Sequence, residues 1–582
     1  MEVSTMVNRG TVSRLVAGLV IVMTAGPIVR PAPVQFTKVV IDKTFRSEGV
    51  AVGDVNGDGL LDILAGEVWY EAPDWRMHEI RPPGKYDVAT GYSNTFANFA
   101  CDVNGNGWID SIVTTMMGEP AYWYENPKNQ PGHWKVHIAT PSACNETPLF
   151  VDLWGTGRPV PVWGVQPEGY MAWFSISEDP YKEWTMHVIG GPNAPGSERY
   201  SHGLGVGDIN GDGRNDVIVT AGWWEAPEDR TQPNWKFHPV DFGPPCADMI
   251  VYDVDGDGRN DVITSSAHDY GLWWFRQLPG ANGTKFHMEV ITKEYSQLHA
   301  VRLADINNDG IMNIVTGKRY FAHNGKDPGA FDPAVLLWFE IQRLGNGKVK
   351  FIPHVIDDDS GIGTQFEVLD INGNGRLDIV TANKKGVHLF IQEPPAGVLL
   401  FDGKTFDGWE GNTDWFRIED GAIVGGSLEK RIPRNEFLCT TMEYSDFELR
   451  LKVKLLGDPA QANGGIQIRS RRVPNHHEMI GYQADMGQQY WGCLYDESRR
   501  NRILAQPDPE LRRRIARHGQ WNDYVIRCEG RRVRLWLNGV QTVDYTEPDE
   551  SLEQTGIIGL QIHSGVPAET CCKDIRIAEI RR

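Results

Sequence analysis

The sequence predicts an all-β chain in two parts, a seven-bladed calcium-binding β-propeller over residues 34–396 and a β-sandwich over residues 397–582. Three observations predict it. An oxygen-rich loop, first met as Asp54-Val-Asn-Gly-Asp-Gly-Leu-Leu-Asp62, has recognisable copies starting at Asp102, Asp152, Asp208, Asp253, Asp305 and Asp370. An aromatic cluster follows each copy. Beyond Glu393-Pro-Pro-Ala-Gly397 the repeats stop, and apolar and charged residues alternate, as from Phe447 to Leu455.

The loop places oxygens at positions one, three, five and nine (Asp54, Asn56, Asp58, Asp62), and Gly57 and Gly59 allow the positive φ of a tight coil. Calcium takes roughly six to eight oxygens at about 2.3–2.6 Å, which alternate side chains and a position-seven carbonyl can supply. Here that carbonyl belongs to Leu60. Position twelve is Ala65, inside Ile63-Leu64-Ala65, where an EF-hand would carry a bidentate Glu. The loop therefore leads into a strand rather than a helix.

The copies lie about 45 to 65 residues apart, room for one four-stranded blade each. The aromatics Trp69-Tyr70, Trp123-Tyr124, Trp173-Phe174, Trp223-Trp224, Trp273-Trp274, Trp338-Phe339 and the weaker Leu389-Phe390 supply the bulk that blade-on-blade packing needs. A third element, Trp75…His78…Ile80, recurs as Trp134…His137, Trp184…His187, Trp235…His238, Phe286-His287 and Phe351…His354. These histidines hold one position per blade, which favours packing over metal ligation. Phe36 to Ile41 reads as one more copy standing before the first loop, so it is expected to complete the last blade and remove the open sheet edges.

Loop, aromatics and period together resemble FG-GAP/VCBS repeats, the calcium-loop propeller blades of integrin α-subunits and many secreted bacterial proteins, over roughly residues 36 to 395. Ca2+ is expected at Asp54/Asn56/Asp58/Asp62, Asp208/Asn210/Asp212/Asp216 and Asp253/Asp255/Asp257/Asp261. Asp102/Asn104/Asn106/Asp110 and Asp370/Asn372/Asn374/Asp378 carry less charge, and Asp305/Asn307/Asp309 ends in Asn313. The third copy has Trp154 and Val160 at positions three and nine and is expected to hold no ion. If the strand entering each loop lines a central channel, Glu48, Glu146, His202, Asp248, His299 and Gln365 ring its mouth, with Phe96 in the second blade. Such a ring suits a metal or a polar ligand; a wet, polar mouth without either is the plain alternative.

The formal charge of −20 excludes nucleic acid as a natural partner. Arg9, Arg14 and the apolar run Leu15 to Met23 read as a signal peptide within residues 1–33, too short to span a bilayer comfortably, with an uncleaved anchor left open. The chain is thus expected to be exported, periplasmic or extracellular, with no membrane span once processed. Eight cysteines would permit one or two disulfides there, the rest being buried thiols.

In the second part, Tyr524 to Cys528, Val533 to Leu537, the turn Asn538-Gly539 and the strand to Tyr545 read as an antiparallel meander. Leu400-Phe-Asp-Gly403, Gly408-Trp409, Asp446-Phe-Glu-Leu449, Asn463-Gly-Gly-Ile466 with Arg469, Gly481-Tyr482, Trp521-Asn522, Leu537-Asn-Gly539 and Gly559-Leu-Gln-Ile-His563 together resemble the 3-keto-disaccharide hydrolase family. That resemblance implies a concanavalin/laminin-G-like jelly roll that cleaves glycosides already oxidised to a ketone at C3. The ketone acidifies the C2 proton, so the C1 bond can break by elimination followed by water addition, given a base, an acid and donors to the developing enolate. Many relatives carry Glu after Gly-Tyr and Gln two residues on, whereas this chain has Gln483 and Asp485. The candidate site is Arg469 and Gln483 as donors, Asp485 as base or ligand of a divalent cation, His563 as acid/base, and Tyr482, Trp491 and Tyr495 as a sugar platform, with Asp496 and Glu497 as further acids. The rival reading is a carbohydrate-binding or adhesion protein without catalysis. The Arg-rich run from Arg499 to Arg517 is expected to be a solvated loop or a contact to the acidic propeller.

Overall fold

The computed structural model describes residues 34–243, 246–280, 282–394 and 397–580. The expected signal or anchor segment lies outside the described residues. No helix among the described residues is long and apolar enough to cross a membrane.

Residues 34–394 form antiparallel four-stranded units, each built as strand, oxygen-rich loop, strand, aromatic strand and outer strand. Five stand as separate four-stranded sheets. The copies at Asp208 and Asp253 are instead joined in one eight-stranded sheet, through a single parallel register between Leu204 and Asp248. Where the sequence counts seven separate blades, the structure therefore has five plus a fused sheet. The seam is tight: a Cβ on Gly205 would overlap the carbonyl oxygen of Met249, so only glycine lets the two inner strands approach this closely. Phe36–Asp42 pairs antiparallel with Gly386–Gln392, from Phe36↔Gln392 to Val40↔His388, so the chain's first described strand completes its last propeller sheet.

Two devices recur in these sheets. The position-nine side chain is buried, and its oxygens accept backbone N–H groups from loop position two and from the chain leaving the aromatic strand. Asp62 takes Val55 N and Ala72 N, Asp110 takes Val103 N and Asn126 N, and Asp216 takes Ile209 N and Ala226 N. The repeated histidine stacks on the blade tryptophan: His78 on Trp69, His137 on Trp123, His187 on Trp173, His238 on Trp223 and His354 on Trp338, with centroids 3.8–4.4 Å apart. Its Nε2 then meets an acid or hydroxyl on the neighbouring strand, such as Glu71 at 2.8 Å or Glu225 at 2.7 Å.

From residue 397 two antiparallel sheets enclose one core. The first carries Phe447–Gly457, Asn522–Glu529, Arg532–Leu537 and Val540–Thr546; the second orders Glu436–Thr440, Ile557–Ile562, Gly464–Arg472, Met479–Met486, Leu494–Glu497 and Arg502–Ala505. Leu449, Leu451, Val453, Ile466, Ile468, Tyr482, Trp491, Leu560 and Ile562 fill the space between them. Asn538 and Gly539 both take positive φ, 52° and 83°, as a tight hairpin of the primed type requires. Alternation makes one face of Phe447–Gly457 polar as expected, but Glu448 on that face is 4% exposed. The propeller covers it: Arg376 Nη1 donates to Glu448 Oε2 at 2.6 Å, Arg527 Nη1 to Gly375 O at 3.3 Å, and Trp536 Nε1 to Gly373 O.

The expected disulfides do not form among Cys144, Cys439, Cys493, Cys528, Cys571 and Cys572, which are buried free thiols, nor at the half-buried Cys101. Strand alternation explains the adjacent pair, since Cys572 faces the main core and Cys571 the opposite side. Of the Arg-rich run, Arg499 and Arg500 hold Asp496, while Arg514 reaches to 4.0 Å from Asp58 of the propeller.

Candidate functional site

On the second sheet, strand parity sorts the expected site residues. Gln467 lies opposite Gln483, which lies opposite Tyr495; Gln561, Gly465 and Asp485 are opposite one another in turn; Gly481 faces Glu497. These side chains share the face turned away from the core. Gly465 leaves the space that Gln483 fills, since a Cβ there would fall 2.6 Å from the Gln483 amide carbon. The amides form a ladder: Gln467 Nε2 donates to Gln483 Oε1 at 2.5 Å, and Gln483 Nε2 donates to Asp485 Oδ1 at 3.0 Å and to Gln561 Oε1 at 3.2 Å. Burial drives the Asp485 carboxyl well above the usual range, against the partial offset of the Gln483 hydrogen bond. Glu497 is pushed to about 7, by burial first and the nearby Glu478 second. Two acids that stay protonated unusually high in pH thus lie on one sheet face, Asp485 bonded to the neutral amides.

The other expected residues do not join this face. Tyr482 and Asp496, one residue out of phase with Gln483 and Glu497, point the opposite way: Tyr482 is a core residue donating to Glu547 Oε2 at 2.7 Å, and Asp496 is fully buried against Arg499 and Arg500. Trp491 is also core, so neither it nor Tyr482 is a sugar platform. Arg469 is buried and anchors loops, donating to Ser445 O, Gly530 O and Asp446 Oδ1, so it is no donor to this face. His563 is exposed where its strand ends, with Nδ1 2.8 Å from Ser564 O, two residues from Gln561 and in phase with it. Gln467 and Glu478 were missed. Parity from Gly465 and Gln483 would have found the first; the second precedes its strand and has no pattern.

The oxygen-rich loops coil around the side chain of position one. Asp54 Oδ1 and Oδ2 accept Asp58 N and Gly59 N, and Asp102, Asp208, Asp253, Asp305 and Asp370 do the same for their own loops. Position-three oxygens of three loops, Asn104 Oδ1, Asp255 Oδ2 and Asn307 Oδ1, are buried without a hydrogen-bond donor, although the Arg276 guanidinium approaches Asp255 Oδ2 at 2.5 Å. Asp253, Asp255 and Asp261 bring ligand oxygens within 4.8 Å of one another, so the donor set of this loop fits calcium.

Several other expected ligands are engaged within their own loops instead of standing free. At position five, the Oδ1 atoms of Asn106, Asp212, Asp257, Asp309 and Asn374 accept the position-seven N–H groups of Trp108, Arg214, Arg259, Ile311 and Arg376. The second carboxylate oxygens of Asp212 and Asp257 are held by the Arg214 and Arg259 guanidinium groups, and that of Asp309 accepts Asn307 Nδ2 at 2.9 Å. At position three, Asn210 Oδ1 and Asn372 Oδ1 accept the N–H groups of Asp212 and Asn374, and Asn210 Nδ2 donates to Asp212 Oδ2 at 3.2 Å. The reason is local: an Asx oxygen reaches the N–H two residues on, which competes with any ligand for its lone pairs. In the third loop Trp154 packs against Trp173 and Trp235.

Of the residues expected to ring a channel, Glu146, His202 and His299 do converge, joined by His268 and by Arg319, which sequence reasoning did not single out. Glu48 lies 3.9 Å from Arg319. Asp248 instead pairs with Arg302 at 2.7 Å, and Gln365 binds Val50 N and Glu367, so these two take structural partners. Among the described residues, groups of three or more converging acid, His or Cys ligands lie in the propeller, not on the sandwich face around Asp485.

Compared with known families, residues 397–578 match the 3-keto-alpha-glucoside-1,2-lyase-like domain, residues 253–316 an FG-GAP-like repeat and residues 202–227 an FG-GAP repeat. The chain thus carries FG-GAP repeats in a propeller arrangement and a 3-keto-disaccharide hydrolase-like domain. No curated protein matches it. Among solved structures, a Parabacteroides distasonis protein provisionally assigned as a glycosyl hydrolase is 18% identical, covering 32% of this chain and 94% of its own, with a TM-score of 0.25. The carbohydrate-binding module CBM66 of Bacillus subtilis is 13% identical over 30% of this chain and 96% of its own, TM-score 0.20. A Bacillus subtilis protein of unknown function with a galectin-like fold is 10% identical over 32% and 99%, TM-score 0.25. Likeness at this level carries no argument about activity.

Proposed function

We propose that the chain is an exported carbohydrate-active enzyme whose C-terminal domain cleaves glycosides bearing a ketone at C3, on the sheet face that carries Gln467, Gln483, Asp485, Glu497 and Gln561. The observation that supports this reading is one sheet face that carries two carboxyl groups of raised pKa, Asp485 within the amide ladder and Glu497 beside it. Glu497, half ionised near neutrality, is the base that takes the C2 proton. The electron pair left on C2 forms the C1–C2 double bond as the C1–O bond breaks. Asp485, held protonated by burial, gives its proton to the departing oxygen. Water then adds across the new double bond to complete hydrolysis. Gln467 and Gln561 hold sugar hydroxyls, and the half-buried Tyr495 borders the site.

In the same reading the fused eight-stranded sheet counts as two blades, so seven close the ring, and Ca2+ in the complete loops rigidifies their turns. Asp54, Asn56, Asp58 and Asp62 would hold it in the first blade, and the corresponding residues of the loops at Asp102, Asp208, Asp253, Asp305 and Asp370 in theirs. Asp212 and Asp257 would exchange the guanidinium groups of Arg214 and Arg259 for the ion.

The test is incubation with a 3-keto-glucoside and with its unoxidised parent, in deuterated water. Release of the aglycone from the keto sugar alone, with deuterium appearing at C2, is expected. Sugar binding without release would replace the enzyme reading with that of a binding protein.

A further inference from the structure

The channel mouth of the propeller holds a cluster that no calcium loop explains and that the sandwich site does not use. His202 Nε2 lies 3.2 Å from His299 Nε2 and 3.1 Å from His268 Nε2. Glu146 Oε2 lies 3.4 Å from His202 Nε2 and 3.3 Å from His299 Nε2. All four ligand atoms fall within 4.8 Å of one another. A tetrahedral ion with bonds of roughly 2.0–2.1 Å sets neighbouring ligand atoms about 3.3–3.4 Å apart, close to these separations.

The tautomers turn acceptor nitrogens toward the centre of this group. His268 Nδ1 is 3.2 Å from Asp327 Oδ2, a carboxylate oxygen that can only accept, so the ring proton sits on Nδ1 and Nε2 presents a lone pair. Arg319 Nη1 is 3.0 Å from His299 Nε2, and a guanidinium only donates, so that nitrogen presents a lone pair as well. His202 Nε2 faces both of these nitrogens.

We propose that Glu146, His202, His268 and His299 bind one divalent transition-metal ion of the zinc type at the propeller's channel mouth. Three imidazoles and one carboxylate favour Zn2+ or Co2+ over Ca2+, whose ligands are oxygens. Asp327 orients His268 from behind, as outer carboxylates orient metal-bound histidines. Arg319 turns to Glu146, already 2.7 Å away, as His299 takes the ion. The site opens on a cavity of about 500 Å³ lined by Tyr92, Phe96, Met116, Met117 and Tyr200 among others, so an expanded coordination sphere has room for water or another oxygen ligand.

The measurement is Co2+ titration of the full, untagged chain, stripped of metal and then saturated with Ca2+. The expected result is one Co2+ per chain with the visible absorption of an imidazole-bound ion, displaced by Zn2+. His268→Gln, at a partly exposed ring, should weaken binding at least tenfold, and adding His202→Ala should abolish it. Absence of the Co2+ band in the wild type would overturn the proposal. So would a band that survives His268→Gln undiminished but vanishes in His476→Ala/His477→Ala, two adjacent rings elsewhere. The single His268 variant decides the matter if the double variant fails to fold.

Discussion

The propeller and the sandwich carry their polar residues in opposite ways. In the propeller a position recurs in blade after blade, so a residue is understood by whether its counterparts share it. The stacked histidines recur and are structural; His268 and Arg319 fall outside the repeated positions and sit in the cluster with Glu146. In the sandwich nothing repeats, and a residue is understood by strand parity. Tyr482 and Gln483 are neighbours in sequence, yet one fills the core and the other joins the ladder. Two regions of one all-β chain thus need two different filters before any polar residue is assigned a chemical role.

The sharpest way to break the comparison is to remove calcium. A ligand bound only by the folded state stabilises by about 4 kcal/mol when its free concentration is a thousand times its Kd, and several loops add. Chelation should therefore lower the propeller transition in calorimetry by the largest margin of any change considered, leaving the sandwich transition nearly in place. Asp208→Asn should reproduce part of that loss and blunt the response to Ca2+. Asp152→Asn, in the loop with Trp154 and Val160, should not. Equal responses from both variants would count against the distinction drawn between complete and degenerate loops.

The next effect belongs to the sandwich alone. Asp485→Asn and Glu497→Gln should each lower turnover of a 3-keto-glucoside by about a hundredfold or more, the usual worth of a general acid or base. The Ca2+-dependent melting should stay unchanged. Tyr482→Phe should lower stability rather than turnover chemistry, because its hydroxyl serves Glu547. If Tyr482→Phe and Glu497→Gln had the same profile, parity would be the wrong filter.

A smaller, graded effect follows from the Glu497 carboxyl at about 7. As the base it must be ionised, so turnover should fall about tenfold per pH unit below that value and level off above it. Stability runs the other way. The folded protein binds this proton more tightly than the unfolded chain, whose ordinary value is 4.5. Its contribution is therefore complete below that value and lost as pH rises through about 7. Glu497→Gln should flatten both curves.

The loops, the blade aromatics and the closing strand Phe36–Asp42 were legible because each is a local spacing repeated many times. The joining of the Asp208 and Asp253 copies was not, since the Leu204↔Asp248 register depends on how closely two blades approach. Spacing also named Asp212 and Asp257 as ligands without showing that an arginine two residues on could reach each carboxylate. In the sandwich, the strands and the Asn538-Gly539 turn were legible, but the site was only half so. Gln483, Asp485, Tyr495 and Glu497 share one face. Tyr482, Asp496, Trp491 and Arg469 were assigned from residue type without parity, and all four are buried structural groups. The channel cluster was visible as a ring of polar positions, but His268 lies in the turn before Tyr270–Gln277, outside the strand-entry positions that picked out His202 and His299.

The least effect expected concerns the join between the two regions, and it tests whether they are independent at all. Arg376 stands at position seven of the last loop and donates to Glu448 at 2.6 Å, both groups being 4% exposed. Breaking an isolated buried pair costs roughly 3–5 kcal/mol because a charge is left without a partner. Glu448 is not so stranded, since Arg450 Nε holds its other oxygen at 2.7 Å and Arg527 lies 3.9 Å away. Arg376→Met should accordingly cost only about 1–2 kcal/mol, below the isolated-pair range. The loss should appear as a widening gap between the two calorimetric transitions rather than a fall in both. Position seven contributes a backbone carbonyl to the ion rather than its side chain, so Ca2+ binding should persist in this variant. Loss of Ca2+ stabilisation on Arg376→Met would mean that the last loop is held in shape by the sandwich, and that the two regions fold as one.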